Sequence, residues 1–430
     1  MKKRSILIVA LLAASMSFLF ANGEKESSSG SKIKELTFVE TMTSPSRTKV
    51  LQDLIARYES NHPDIKINLI SPPYEQSDNK LTLMLNSNQA VDIAEVRDYT
   101  VKQFVNNKKL RDLTPYVEKW DEYSDLLPLE VTAAKTVDNT PYFLPQGFYV
   151  KALFVRKDIL AKNGYGEDDY PKTVEDLFLM CKEITAKDPN QYGLAFRGKA
   201  NTYKCSDPLI FSYIPNVNLD NGLLTTDGKL SYDTPEGRNG LAAFKDVFQN
   251  AVPADGINWG FNEQVNAFIS GTCPFLVQDP DTLSMFEGQL THEQYTIIPM
   301  PVGSKTKVSY IDYGFSGLGI PTTAKYPEEA WDFVKFMLSA ETNAEFTKSY
   351  GPLPVHTSTY EKDDYFSSGD YAPWAYMMSH PETYKFFKYP LDAEQYPGWA
   401  QTQETSMQAY LLDKASLDDT INGWKAYWGL

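Results

Sequence analysis

The sequence predicts an α/β fold, and three observations carry that prediction. Residues 34–40, "KELTFVE", alternate toward a half-buried strand. The next run, "RTKVLQDLIARYESN", places Val50, Leu51, Leu54, Ile55 and Tyr58 on one helical face. "HPD" breaks that helix and "IKINLI" alternates as a second strand, so the chain opens with a β-α-β unit. At 430 residues it is too long for one compact core, which implies two lobes.

The elements follow in order. Pro45 suits a first helical position, with Ser44 as its cap. "NKLTLMLNSN" reads as a helix, "AVDIAEV" as a buried strand ending at Arg97, Asp98 and Tyr99, and "TVKQFVNNKKL" as a helix. "TPYFLPQGFYVKALFVRKDIL" reads as a strand, a Pro/Gly interruption and a longer strand. "TVEDLFLMCKEIT" is a helix opened by Thr173, with acids in its first turn. A short strand, "YGLAF", and a helix, "TPEGRNGLAAFKDVFQN", follow. Residues 261–286 then read as a helix, a Gly turn, a short apolar strand, the polar corner "QDPDT" and another helix. Such a corner stands at the carboxyl end of a strand, where α/β sheets hold ligands. "YTIIPMPVG" is a strand, "SYIDYGFSGLGIPTTA" is strand-like and Gly-rich, and "YPEEAWDFVKFMLSAETNAEF" reads as one long helix. The last third alternates helical stretches with Tyr/Pro/Trp-rich turns such as "QYPGW".

Composition narrows the function. Residues 1–21 have the form of a secretory signal: Lys2, Lys3 and Arg4, an apolar run, and Ala21 at the cleavage position. No cysteine stands there to carry a lipid, so a soluble, periplasmic protein is expected, with a flexible Ser-rich linker at 22–32. Loss of those three positive charges takes the net charge from −15 to −18, which disfavours nucleic acid or an anionic membrane as partner. Three cysteines form no disulfide framework: Cys181 reads as a buried small hydrophobe, while Cys205 and Cys273 could pair in an oxidising compartment. His62, His292, His356 and His380 match no metal-ligand spacing, and no cofactor motif is present. Aromatic residues make up 13 %, with 27 Tyr, a supply suited to stacking and hydrogen-bonding against sugars or simply to a well-packed core.

Six stretches, in order, resemble one family: "LIARYESNHPDIKINLI", "YFLPQGFYVKALFVRKDIL", "PKTVEDLFLMCKEIT", "VNAFISGTCPFLVQDPDT", "YTIIPMPVG" and the run from "GIPTTAKYPEEAW" to "GPLPVHTSTY". The family is the bacterial extracellular solute-binding proteins of ABC importers, in the sugar-binding group to which maltose-binding protein belongs. The resemblance implies a two-lobed periplasmic-binding-protein fold with three interlobe crossings, expected near residues 149–151, 297–299 and 351–354. The first lobe would comprise 33–150 and 298–352, the second 151–297 and 353–430. The implied function is non-enzymatic: a monomer binds a small-molecule carbohydrate in the cleft and delivers it to ABC transporter permease subunits. The same fold with a non-sugar solute (polyamine, phosphoester or metal) is the alternative, and a secreted glycosidase the more distant one.

A sugar site needs aromatic faces for the ring, and carboxylates, amides and Arg for its hydroxyls. Strand ends supply the candidates: Thr43 and Ser44; Arg97, Asp98 and Tyr99; Gln146 and Tyr149 at the first crossing; Arg197 and Trp259; Asp279 and Asp281 in the polar corner; Asp312, Tyr313 and Phe315. Trp399, in "QYPGW", is expected at the cleft rim, since relatives often place cleft aromatics there and at Tyr313. Many relatives carry an aromatic where this chain has Asp281, so a hydroxyl acceptor replaces a stacking face there. Each candidate has a plainer reading: Asp281 as a helix cap, Arg97 and Asp98 as a solvated surface pair, Asp312 as a structural cap or pair, and Trp399 as core.

Overall fold

The computed structural model describes residues 33–188 and 190–430; the expected signal and linker lie outside the described residues. Ten strands are described: β1 Lys34–Val39, β2 Ile65–Ile70, β3 Ile93–Arg97, β4 Leu144–Val150, β5 Ala152–Arg156, β6 Leu194–Ala195, β7 Phe275–Gln278, β8 Tyr295–Ile298, β9 Ser309–Gly319 and β10 Tyr384–Phe387. They form two sheets. The first has the order β10-β9-β3-β1-β2, with β4 also paired to β9; the second is β6-β7-β5-β8. β1 runs parallel to β2 and β3, as crossover helices require, whereas β9 runs antiparallel to β3 and β4. Each sheet anchors one lobe of an α/β molecule.

The local chemistry explains the opening unit. Ser44 accepts a hydrogen bond from Arg47 N at 3.2 Å and so caps the helix Pro45–Asn61. That helix buries Leu51, Leu54, Ile55 and Tyr58, and Tyr58 meets Phe333 edge-on at 5.0 Å. Phe333 belongs to the helix Pro327–Leu338. The predicted long helix ends there, because Ser339 is extended and caps a second helix, Ala340–Tyr350, accepting from Thr342 N at 3.3 Å. No helix among the described residues is long and apolar enough to cross a membrane. Cys181, Cys205 and Cys273 are all free and buried, so Cys205 and Cys273 do not pair.

Three segments connect the lobes. At the first, a single residue, Lys151, separates β4 of one sheet from β5 of the other. Trp374 Nε1 of the second lobe donates to Val150 O there at 2.6 Å. The second crossing is not at 297–299. Val302 N bonds to Lys172 O, Thr306 Oγ1 to Ser212 O and Tyr310 OH to Pro215 O, so residues 302–310 still belong with the second lobe. β9 itself carries the chain across: it starts beside β10 and ends beside β3 and β4. The third crossing also extends beyond its expected end. Leu127 N bonds to Val355 O and Ser358 Oγ donates to Asp125 Oδ2 at 2.6 Å, tying residues past 353 to the first lobe. Pro and Gly mark where the backbone turns, and tertiary hydrogen bonds decide which lobe holds it. Gly351 has a genuine reason to be glycine: its φ is +121°, and a Cβ would lie 2.6 Å from Asp281 Cα.

Candidate functional site

The carboxyl ends of the strands converge on a cavity between the lobes. β1 delivers Met42, Thr43 and Ser44; β3 delivers Arg97, with Asp98 and Tyr99 opening the helix Asp98–Asn106. The second lobe contributes Arg197 after β6, Asn201, Lys204 from the helix Tyr203–Phe211, and Gln278, Asp279 and Asp281 after β7. Tyr149 and Lys151 come from the first crossing, Asp312, Gly314 and Phe315 from β9. Tyr74, Phe261, Ser284, Met285 and Tyr350 complete the wall.

The floor on the first-lobe side is a buried ion cluster. Arg47 Nη1 donates to Glu40 at 2.8 Å and Nη2 to Glu95 at 2.6 Å, all three fully buried. Glu95 Oε2 in turn accepts from Thr41 N at 2.6 Å and Met42 N at 2.9 Å, which fixes the loop presenting Thr43 and Ser44. Arg97 is committed in the same way: it donates to Tyr99 OH at 2.6 Å, Ser77 Oγ at 3.1 Å and Thr41 O, and lies 3.5 Å from Asp78. Arg97 and Asp98 are therefore no surface pair; both are buried and turn to other partners. Asp98 accepts from Tyr99 N at 2.7 Å and Phe315 N at 3.1 Å.

Across the cavity, Lys151 donates to Gln278 Oε1 at 3.2 Å and to Asp279. Lys204 lies 3.9 Å from Asp98 and 4.0 Å from Asp312, and no Cβ at Gly314 crowds it, since one would stand 3.0 Å from Lys204 Nζ. Burial pulls the Lys204 ammonium down, but Asp98 and Asp312 beside it prevail and hold it above its usual range. Asp281 accepts from Tyr350 OH at 3.0 Å, its other oxygen has no partner, and it makes no capping bond. Burial, reinforced by Asp279, pushes Asp281 up to about 7. Burial likewise raises Asp312 to about 6, and its Oδ1 is also without a partner. Among the described residues no group of three or more His, Cys, Asp or Glu is arranged to hold a metal ion.

Four predicted residues are not brought to this cavity. Tyr313 lines an adjoining cavity of about 310 Å³ that shares Asp98 and Phe315 with the first. Gln146 is buried behind the crossing, with neither amide atom of its side chain bonded. Trp259 is half-buried and donates to Asp255 at 3.1 Å. Trp399 is 0 % exposed and packs against Trp424, Tyr427 and Trp428 at 5.4–6.0 Å. The rim position expected for it is wrong for a clear reason: Pro397 and Gly398 do not reverse the chain but sit in the first turn of the helix Tyr396–Leu411, where Pro is tolerated. Sequence reading passed over Lys151, Asn201, Lys204, Tyr74, Phe261 and Tyr350. Lys151 had a signal, a lone charge inside the apolar run "FYVKALFV" at an expected crossing; the others had none.

The model of the family described as bacterial extracellular solute-binding protein matches residues 44–344. The Escherichia coli (strain K12) protein YcjN, provisionally named an ABC transporter periplasmic-binding protein, is 23 % identical over 275 residues, 63 % of this chain and 60 % of its own length. The maltotriose-binding protein of Pyrococcus abyssi is 22 % identical over 319 residues, 72 % of this chain and 64 % of its own. The chain thus spans just under two thirds of the length of the curated relatives it matches. Among solved structures, an ABC transporter solute-binding protein of Thermotoga lettingae bound with α-D-tagatose superposes with a TM-score of 0.79 at 18 % identity, covering 92 % of this chain and 99 % of that one. At such identity the likeness establishes the two-lobed fold.

Proposed function

We propose a function from one premise: this chain belongs to the bacterial extracellular solute-binding protein family. It is the extracytoplasmic receptor of an ABC importer. It captures a carbohydrate in the interlobe cleft and presents the closed complex to the membrane permease. It acts in the periplasm as a monomer and performs no chemistry on its cargo. The observation that carries this reading is the cavity wall. Six aromatic side chains (Tyr74, Tyr99, Tyr149, Phe261, Phe315 and Tyr350) stand among charged and amide groups drawn from both lobes. Apolar ring faces and hydroxyl edges are the two demands of a sugar, and both are met within one wall. Tagatose and maltotriose, the sugars named for two similar proteins, are consistent with it.

Closure explains how binding becomes a signal. Ser46 meets Ser284 at 3.1 Å, Tyr350 meets Asp281 at 3.0 Å, Asn201 reaches Tyr99 at 3.4 Å, and Asn106 reaches Glu394 at 3.0 Å. A ligand touching both walls adds to these contacts only when the lobes are together, so it shifts the population toward the closed form. Thermal melts across a panel of sugars test the reading, with solution scattering to follow compaction. Stabilisation by a polyamine or phosphoester, with every sugar inert, would refute it.

A further inference from the structure

Arg197 separates from every other cation in the cavity. Arg97, Lys151 and Lys204 each lie beside one or more carboxylates. Arg197 is 4 % exposed, lines the cavity, and makes no hydrogen bond or ion pair among the described residues. Its Nε has no partner among the described residues, which is also true of Arg47 and Arg97, so what sets Arg197 apart is that its Nη groups are unpaired as well. Asp279, which could serve it, is taken by Lys151. A buried guanidinium cannot shed its charge, and it presents a planar fork of N–H donors that fits a carboxylate in a bidentate pair. Water or a lone hydroxyl would leave most of that fork unpaired, and the Asp279 carboxylate, which favours the charge from nearby, is bonded to Lys151 instead.

Resting on the carbohydrate reading above, we propose that the cargo is an acidic sugar whose carboxylate seats on Arg197. The remaining wall fits such a ligand. Asp281, Asp312 and Thr43 line the same cavity, and each keeps a buried side-chain oxygen that has no partner among the described residues. A phosphorylated sugar fits less well, because its dianion would meet Asp279, Asp281 and Asp312 with, among the described residues lining the cavity, one unpaired cation to balance it. The carboxylate could come from a ring-closed uronic acid or an open-chain aldonic acid, and the two differ in shape.

The test is calorimetric titration of the full mature chain with D-galacturonate, D-glucuronate and D-gluconate, each beside its neutral counterpart and, for the uronates, the methyl ester. At least one acid should bind about 100-fold more tightly than its neutral partner, the scale for removing one member of a buried, hydrogen-bonded charge pair. Preference for uronate or for gluconate then distinguishes ring from open chain. Arg197→Met should abolish the discrimination and raise the melting temperature of the ligand-free protein, since it removes a buried charge with no carboxylate bonded to it; Arg197→Lys should retain part of the preference. Neutral sugars binding as tightly as the acids would overturn this inference and leave the carbohydrate reading intact. Failure of every sugar, acidic or neutral, would remove both. A lower melting temperature for Arg197→Met with discrimination intact would make Arg197 structural and overturn the proposal, and the ester comparison on the unaltered chain decides the matter if that variant does not fold.

Discussion

Arg47 and Arg197 are both buried, yet they stand in opposite electrostatic situations. Arg47 is clamped between Glu40 and Glu95, and those acids reach on to Thr48 and the backbone of Thr41 and Met42. Arg197 faces the cavity with no hydrogen-bond partner among the described residues. The first arginine has both Nη groups taken by carboxylates of the protein itself, though its Nε finds no partner among the described residues, and it holds a loop in place. The second is, among the described cations of the cavity wall, the one with no carboxylate bonded to it. On the proposal above, buried charge serves the scaffold in one lobe and recognition in the other, and what divides the roles is whether the protein itself bonds a carboxylate to the guanidinium.

The strongest way to break this contrast is Arg47→Leu. It strands two buried carboxylates and should cost about 3–5 kcal/mol of stability by denaturant unfolding. A near-normal midpoint would show that the cluster is not a scaffold. Trp399→Ala probes a buried group with no charge. It should also cost about 3–5 kcal/mol, the range for emptying a Trp site in a core, while affinity per folded molecule stays unchanged. A selective loss of affinity would return Trp399 to the cleft.

Asp207 sharpens the comparison from another side, as a buried acid with no cation beside it. It accepts from Tyr232 at 2.6 Å and Tyr389 at 2.8 Å, and burial raises it to about 8. Its folded value lies above its unfolded one, so the folded state keeps a proton that the unfolded state releases. Stability from this group is thus fully present below the unfolded value, near pH 4, and declines by up to about 1.4 kcal/mol per pH unit until about pH 8. Asp207→Asn should flatten that slope in melts taken across this window, and an unchanged slope would assign it to other groups.

The smallest effect is expected at Asp281, held at about 7. Deprotonation above that value adds negative charge to the wall. Affinity for a sugar acid should therefore fall as pH rises from 6 to 8, by at most about tenfold per unit, and Asp281→Asn should remove the trend. Binding that strengthens with pH would contradict the sign.

Much of this was legible in the sequence because it rests on local periodicity. Alternation marked β1 and β2, the apolar stripe from Leu51 to Tyr58 marked the first helix, and the ends of β1, β3 and β7 pointed to Thr43, Arg97 and Asp279. What escaped depends on tertiary contact. Lys204 lies on a helix with no chemical signature and gains its place only when β9 brings Asp312 beside it. Trp399 was misplaced because Pro-Gly is ambiguous between a reversal and a helix start. The lobe boundaries shifted because residues 302–310 and 355–358 bond across the turns that precede them.

The hydrogen bond from Trp374 to Val150 has an optical consequence. Among the described residues lining the cavity of Arg197 and the adjoining one, none is a tryptophan. Indole emission will therefore be nearly blind to which ligand occupies the cavity. Trp374, whose Nε1 donates to Val150 O next to Lys151, sits against the first crossing and so is placed to follow its movement. In a chain where Trp374 is the sole tryptophan retained, a spectral change on adding ligand would time the hinge rather than the encounter, and a stopped-flow trace at rising ligand concentration would level off at the rate of closure.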